Sequence, residues 1–173
     1  MSLLDDHPQP WLLVYCTNIE GLNDILVQVW EALWNETTPV AVKMLKASGE
    51  MQRDEFLKEA SIMGKMRHPK LLQLYAVCSS SAPMLMVCEL MRGGSLQNYL
   101  GRQQTRQLPT AQLLPMAVQV AAGMTYLEEH SFAHCDLRAA NVLIHELPAS
   151  ESQAATVICK VEPHVVQKPF WVF

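Results

Sequence analysis

The hydrophobic pattern of this chain changes period at a pair of glycines, Gly93 and Gly94. Before them, apolar residues mostly alternate or run in short blocks, as strands require. After them they recur at spacings of three and four, as helices require. Trp11 to Cys16 and a run holding Ile25, Val27 and Val29 predict two strands. Asn35-Glu36-Thr37-Thr38-Pro39 is a turn cluster, and Val40 to Leu45 predicts the strand that closes a hairpin with the preceding run. Phe56, Ala60 and Met63 then predict a helix over about 54–67. His68-Pro69 stops it, because a residue before proline is pushed out of the helical region. Two further strands are expected over 71–78 and 84–89, with a flexible joint at 90–95. Ser95 can cap a short helix reaching Leu100. Thr110 is expected to cap a long helix to about Glu129, with Leu113, Leu114, Ala117, Val120, Ala121, Met124 and Leu127 as its apolar stripe, which would have little to pack against. Pro115 is awkward there, since its ring clashes with the preceding turn.

Composition narrows the function classes. Half of the 173 residues are apolar, which excludes a disordered tail. The net charge of −4 excludes a broadly basic nucleic-acid face. The charged fraction of 17% is low, which suits a chain with apolar surface intended for other protein. The five cysteines, Cys16, Cys78, Cys88, Cys135 and Cys159, form no CxxC pair, so neither a disulfide framework nor a zinc site is expected and a reducing cytoplasm fits. His130, His134 and Cys135 lack a convincing fourth metal ligand. The N-terminus has no signal-peptide core, and Ser2 stands where myristoylation needs glycine. Residues 107–127 carry no charge, but Pro109, Pro115 and three glutamines favour a buried helix over a membrane span.

The most informative segment is His134-Cys135-Asp136-Leu137-Arg138-Ala139-Ala140-Asn141. Its Asp and Asn have the spacing of the kinase catalytic loop, H-R-D-x-x-x-x-N. Lys43 ends Val-Ala-Val-Lys, the signature of the kinase nucleotide lysine, and Glu59 lies on the next predicted helix, where that lysine's partner belongs. With these motifs in order, the chain resembles a non-receptor protein tyrosine kinase of the Src-like type, Frk and Srm relatives included. The stretches Leu71 to Cys78 and Glu89 to Leu96, and the phrase D-L-R-A-A-N, resemble that family too.

The resemblance implies an α+β, protein-kinase-like fold: an antiparallel small-lobe sheet with one helix, followed by an incomplete helical large lobe. It divides the chain into an unassigned segment 1–20, a partial kinase domain 21–161 and an unrelated tail 162–173. Within the domain it sets the small lobe to about 89, the hinge at 89–95 and a partial large lobe over 96–161. It implies ATP and Mg²⁺ as cofactors and protein tyrosine as substrate. Lys43 would hold the α/β-phosphates, Glu59 would fix that lysine, Asp136 would accept the tyrosine proton, and Arg138 belongs to the same loop. Asn141 would ligate the metal. Val29, Ala41 and Leu143 would enclose adenine, the backbone of Glu89 and Met91 would bond its edge, and Cys88 would be the gatekeeper.

Three departures oppose that function. The phosphate loop, expected as G-x-G-x-x-G-x-V, reads Leu22-Asn23-Asp24-Ile25-Leu26-Val27-Gln28-Val29, with every glycine lost. Cys135 replaces the loop's arginine. After Val157-Ile158-Cys159-Lys160-Val161 the D-F-G motif is replaced by Glu162-Pro163-His164-Val165, and the residues to Phe173 match nothing in the family, as readthrough or altered splicing would produce. The expectation is an inactive member of a tyrosine kinase family. A pseudokinase or regulatory fragment that binds another protein is the alternative, and a working kinase or a fragment with no independent role are the remaining readings. The apolar helix over 110–129 is expected to be loosely packed and to need a protein partner or chaperone.

Overall fold

The computed structural model describes residues 17–18, 27–46, 49–80, 82–102, 108–147 and 156–167. The predicted strand at Trp11 to Cys16, the residues Leu22 to Leu26 and the aromatic end Phe170 to Phe173 lie outside them. The chain forms two compact units. The first holds residues 1–66 and 73–90, and the second holds 67–72 and 91–173.

The first unit is an antiparallel five-stranded sheet with one helix. Its strands are β1 (Thr17–Asn18), β2 (Val27–Trp34), β3 (Thr38–Leu45), β4 (Leu74–Cys78) and β5 (Leu85–Glu89), in the order β1-β2-β3-β5-β4. β2 and β3 meet in a tight turn whose central residues Asn35 and Glu36 both have positive φ, 51° and 61°, the geometry that suits the twist of a hairpin. Pro39 lies inside β3, opposite Leu33, and not in the turn as its neighbours suggested. Alternation sorts the side chains of β3. Val40 and Val42 join Ala32, Ala76 and Val87 in a core on one face, flanked by Trp30, Trp34 and Leu85, while Ala41 and Lys43 point to the other.

Helix α1 spans Glu50–Met63, four residues earlier than its apolar spacing predicted. Its first turn is mostly exposed and so carries no apolar signal. Its end is set by Gly64, whose amide bonds Ala60, and not by His68-Pro69. Met66 continues the buried stripe, but from the tight turns that follow the helix. The predicted strand over 71–78 is also shorter, starting at Leu74. Leu71 and Leu72 are buried in the second unit, where the Leu72 amide bonds the Val161 carbonyl at 2.9 Å.

The second unit contains β6 (Gly94–Ser95), α2 (Leu96–Arg102), α3 (Thr110–Glu129), β7 (Phe132–His134), a 3-10 turn (Ala139–Asn141), β8 (Val142–Leu147), β9 (Thr156–Val161) and β10 (Val165–Gln167). β8 lies between β6 and β9, and β10 pairs antiparallel with β7. Ser95 caps α2 as expected, its hydroxyl accepting the Asn98 amide at 3.2 Å. Gly93 comes so close to Ile144 that a Cβ there would lie 2.6 Å from the Ile144 carbonyl oxygen.

Helix α3 has the predicted length, and its apolar stripe is only partly packed. Its cap is Pro109, with Thr110 the first helical residue, and it runs through Pro115. Met116, Gly123 and Leu127 are buried. Leu113 and Leu114 are 39% and 62% exposed, and Ala117 and Ala121 are exposed as well. The reason is backbone contact. A Cβ on Gly123 would sit 2.9 Å from the Lys70 carbonyl oxygen, so the helix meets the chain along the face of Gly123 and Leu127 rather than along Leu113 and Leu114. Gln119, beside that contact, binds the outer edge of β9: its side chain donates to the Val157 carbonyl and accepts the Cys159 amide, at 2.9 and 3.2 Å. Lys70 completes the group with a 2.7 Å bond to the same Gln119 oxygen. Tyr99, Met116, Val142, Ile144 and Cys159 form the core beneath.

Candidate active site

In the first unit the candidate residues share one sheet face. Val29 stands opposite Lys43, and Cys88 stands opposite Ala41. Because Ala41 and Lys43 are two residues apart on β3, all four side chains point the same way. Lys43 Nζ lies 2.8 Å from Glu59 Oε1, with the two side chains 17% and 23% exposed. Glu59 borders the buried stripe of α1, Phe56, Ala60 and Met63, so packing of the helix on the sheet fixes its carboxylate beside the lysine. Glu89 ends β5, and its amide bonds the Gln73 carbonyl at 2.9 Å. Of the phosphate-loop residues, Val27 opens β2 opposite Leu45, while Leu22 and Asp24 lie outside the described residues.

In the second unit the loop after β7 is held largely by its own polar groups. Asn141, 7% exposed, donates from Nδ2 to the Asp136 carbonyl and to Asp136 Oδ2, both at 2.8 Å. Arg138 Nε is 3.2 Å from the same carboxylate oxygen. Asp136 Oδ2 therefore takes two donors, which fixes the carboxylate while leaving Asp136 half-exposed. The Asp136 amide donates to His134 Nδ1 at 3.2 Å, and His134 Nε2 lies 2.9 Å from the Glu162 carbonyl oxygen. Leu143 is buried on β8, between Ser95 and Lys160 of the neighbouring strands. Met91 is buried, and its carbonyl accepts the Gly94 amide at 3.1 Å.

The fold thus brings together Lys43, Glu59, Val29, Ala41 and Cys88 in one unit, and Asp136, Arg138 and Asn141 in the other. Sequence reasoning missed the part taken by residues 162–167. The Glu162 amide bonds the Asn141 carbonyl at 2.8 Å, the Cys135 amide bonds the His164 carbonyl at 2.9 Å, and Val165 pairs with His134. Pro163 is fully buried. Backbone bonds of this kind leave almost no mark in a sequence; alternation of Val161, Pro163 and Val165 as buried positions was the available signal. Burial also sets two titrations. It lowers the His134 pKa, and it pushes the Cys159 thiol up to about 11.

The family described as protein tyrosine and serine/threonine kinase matches residues 25–161. Tyrosine-protein kinase FRK of Homo sapiens is 54% identical over 119 residues, 69% of this chain and 23% of that protein. Tyrosine-protein kinases SRK2 and SRK3 of Spongilla lacustris are 56% and 47% identical over 118 and 119 residues, which cover 68% and 69% of this chain and 32% and 35% of theirs. The matched stretch spans a third or less of most of these relatives, so it represents one part of proteins much longer than itself. The sheet unit with its lysine–glutamate pair, the Asp136–Asn141 loop and these matches agree: the chain belongs to the protein tyrosine and serine/threonine kinase family.

Proposed function

We propose that this chain carries the polar residues of an ATP-dependent tyrosine phosphotransferase but does not itself transfer phosphate. In that reading Lys43, steadied by Glu59, is the cation for the α/β-phosphates. Asp136 is the acceptor for the tyrosine hydroxyl proton, with its carboxylate aimed by Arg138 and Asn141. Val29, Ala41, Cys88 and Leu143, with the backbone of Glu89 and Met91, are the adenine contacts. ATP would supply the phosphoryl group, and a protein tyrosine would receive it. The setting is a reducing cytoplasm, in keeping with the free thiols of Cys78, Cys88, Cys135 and Cys159. Among the described residues no helix is long and apolar enough to cross a membrane.

The single observation behind the lack of transfer is the segment that follows β9. The family places a metal-binding aspartate there; this chain has Glu162-Pro163-His164-Val165. Pro163 offers no ligand atom and is buried, and the backbone of Glu162 and His164 is bonded to the Asp136 loop. Asn141 keeps its place: its amide nitrogen donates to Asp136, which leaves its Oδ1 as the one oxygen of this pattern that could meet a metal. With Pro163 where the metal-binding aspartate belongs, the residues present fit a nucleotide better than they fit a nucleotide with its metal. The loss of all three phosphate-loop glycines, with Asp24 adding like charge, weakens the phosphate contacts further. Calorimetric titration with ATP, with and without Mg²⁺, tests this reading. Weak binding that barely responds to the metal is expected. Tight binding that strengthens sharply with Mg²⁺ would overturn it.

A further inference from the structure

Helix α3 presents two faces with regular spacing. The inner one is packed: Met116, Gly123 and Leu127 are buried, with Val120 partly buried against the same core. The outer one recurs at steps of three, four, three, four and three. It holds Ala111, Leu114, Val118, Ala121, Thr125 and Glu128, every one of them exposed. Leu114 and Val118 are 62% and 60% exposed. The core asks for nothing on that side of the helix. The outer seam nevertheless keeps the spacing of about 3.5 residues by which one helix packs along another. It extends over about five turns, or ~25 Å.

Its polar groups suit being covered. No charged residue lies between Thr110 and Leu127. The Thr125 hydroxyl donates to the Ala121 carbonyl at 3.0 Å, so covering it strands no donor. The charges fall at one end, and there they oppose the helix dipole. The last turn holds Glu128 and Glu129 and no basic residue, while the first turn has no acidic residue and no side-chain cap. Helix N-termini favour negative charge and C-termini positive. The arrangement is unfavourable within one copy. It is favourable between two copies that run antiparallel, because the acidic end of each then lies beside the acid-free N-terminus of the other.

We propose that the outer seam of α3 is a self-association surface, by which two copies of this chain pair antiparallel about a two-fold axis. The symmetry fixes the register. With the axis midway between Val118 and Ala121, Val118 faces the partner's Ala121 and Leu114 faces the partner's Thr125. Ala111 then faces the partner's Glu128. A larger side chain meets a smaller one at each apolar step, and each acidic end meets a helix N-terminus. A parallel pair would instead set Leu114 against Leu114 and Glu128 against Glu128, a contact between like charges. This match of the seam to its own reverse singles out a second copy over an unrelated helix. One helix pair is a small interface, so the dimer is expected to be weak, with a Kd of about 10–100 μM.

Sedimentation equilibrium of the full chain from about 1 to about 500 μM tests this. A reversible equilibrium between monomer and dimer is expected. Val118→Glu sets two carboxylates beside the axis and should weaken the dimer about tenfold or more. Met51→Glu removes a side chain of α1 that is 66% exposed and should leave the dimer unchanged. Ala111→Glu should weaken it by setting a carboxylate against the partner's Glu128. Adding Glu128→Lys to that variant should restore it, because only the antiparallel register brings these two positions together. All four positions are exposed, so the circular dichroism of each variant should match the wild type. If Val118→Glu does not fold, the Ala111 and Glu128 pair decides. A monomer throughout would leave the seam to another protein and overturn the proposal. So would growth past the dimer, equal weakening by Met51→Glu, or failure of Glu128→Lys to rescue Ala111→Glu.

Discussion

The two units treat their large apolar side chains differently. In the sheet unit the exposed ones among the described residues are scattered: Met51 and Leu57 on α1, and Tyr75 on β4. In the second unit Leu113, Leu114 and Val118 stand exposed together on α3, with Leu100, Leu137, Leu147 and Val166 elsewhere. The sheet has alternation to divide inside from outside. Helix α3 is apolar nearly all round, and the face it buries runs through Met116, Gly123 and Leu127. The polar residues differ as well. Lys43 and Glu59 form a largely buried side-chain pair, whereas the Asp136 loop is fixed by backbone and amide bonds around an exposed carboxylate. A face that is apolar is thus not the same as a face that is packed, and a motif that is present is not the same as a motif supported by the residues its family uses.

The sharpest way to break this contrast is to truncate leucines on opposite sides of α3. Leu127 is fully buried and Leu114 is 62% exposed. Leu127→Ala should cost about 2–5 kcal/mol, and Leu114→Ala within about 0.5 kcal/mol, measured by denaturant unfolding of the full chain. Equal losses would mean that the two faces are packed alike.

Gly123→Ala should come next. Alanine favours a helix by about 1 kcal/mol, but its Cβ must move the Lys70 carbonyl, so a net loss of about 1–2 kcal/mol is expected. A gain in melting temperature would show that the close approach is relaxed at no cost. Ser95→Ala removes the cap of α2 and should cost about 1 kcal/mol, detected as reduced exchange protection of the Asn98 amide.

The smallest effects separate the two ion pairs. Glu59→Gln should cost about 1 kcal/mol, because the Lys43–Glu59 pair loses its negative charge in a sheltered place. Arg138→Gln should stay within about 0.5 kcal/mol, because both it and Asp136 are more than half exposed. Paired unfolding curves check the order, and a larger loss at Arg138 would reverse it.

Much of this molecule was legible in the sequence. Alternation placed β3, and with it the common face of Ala41 and Lys43. The spacing of Asp136 and Asn141 placed two residues that the fold joins by hydrogen bonds. Ser95 was legible as a cap because capping is a local bond between a side chain and the next turn. Long-range backbone contacts were less legible. Gly123 against Lys70, Leu72 against Val161 and Glu162 against Asn141 involve atoms common to every residue type, so composition and period do not report them. The ends of α1 carry little period, because its first turn is mostly exposed, and β4 starts only at Leu74 because the apolar Leu71 and Leu72 pack in the second unit. Gln119 was visible as a polar residue in an apolar helix, but its hold on β9 needed the strand's position.

The most direct test is phosphoryl transfer itself. The purified full chain, with labelled ATP, Mg²⁺ and a glutamate–tyrosine copolymer, is compared with Asp136→Asn. The expected result is no label on the polymer above that of the variant, because the segment after β9 supplies Glu162-Pro163-His164 in place of a metal-binding aspartate. Label that the wild type transfers and Asp136→Asn abolishes would contradict it, and would mean that the Asp136 loop and the Lys43–Glu59 pair are sufficient for catalysis.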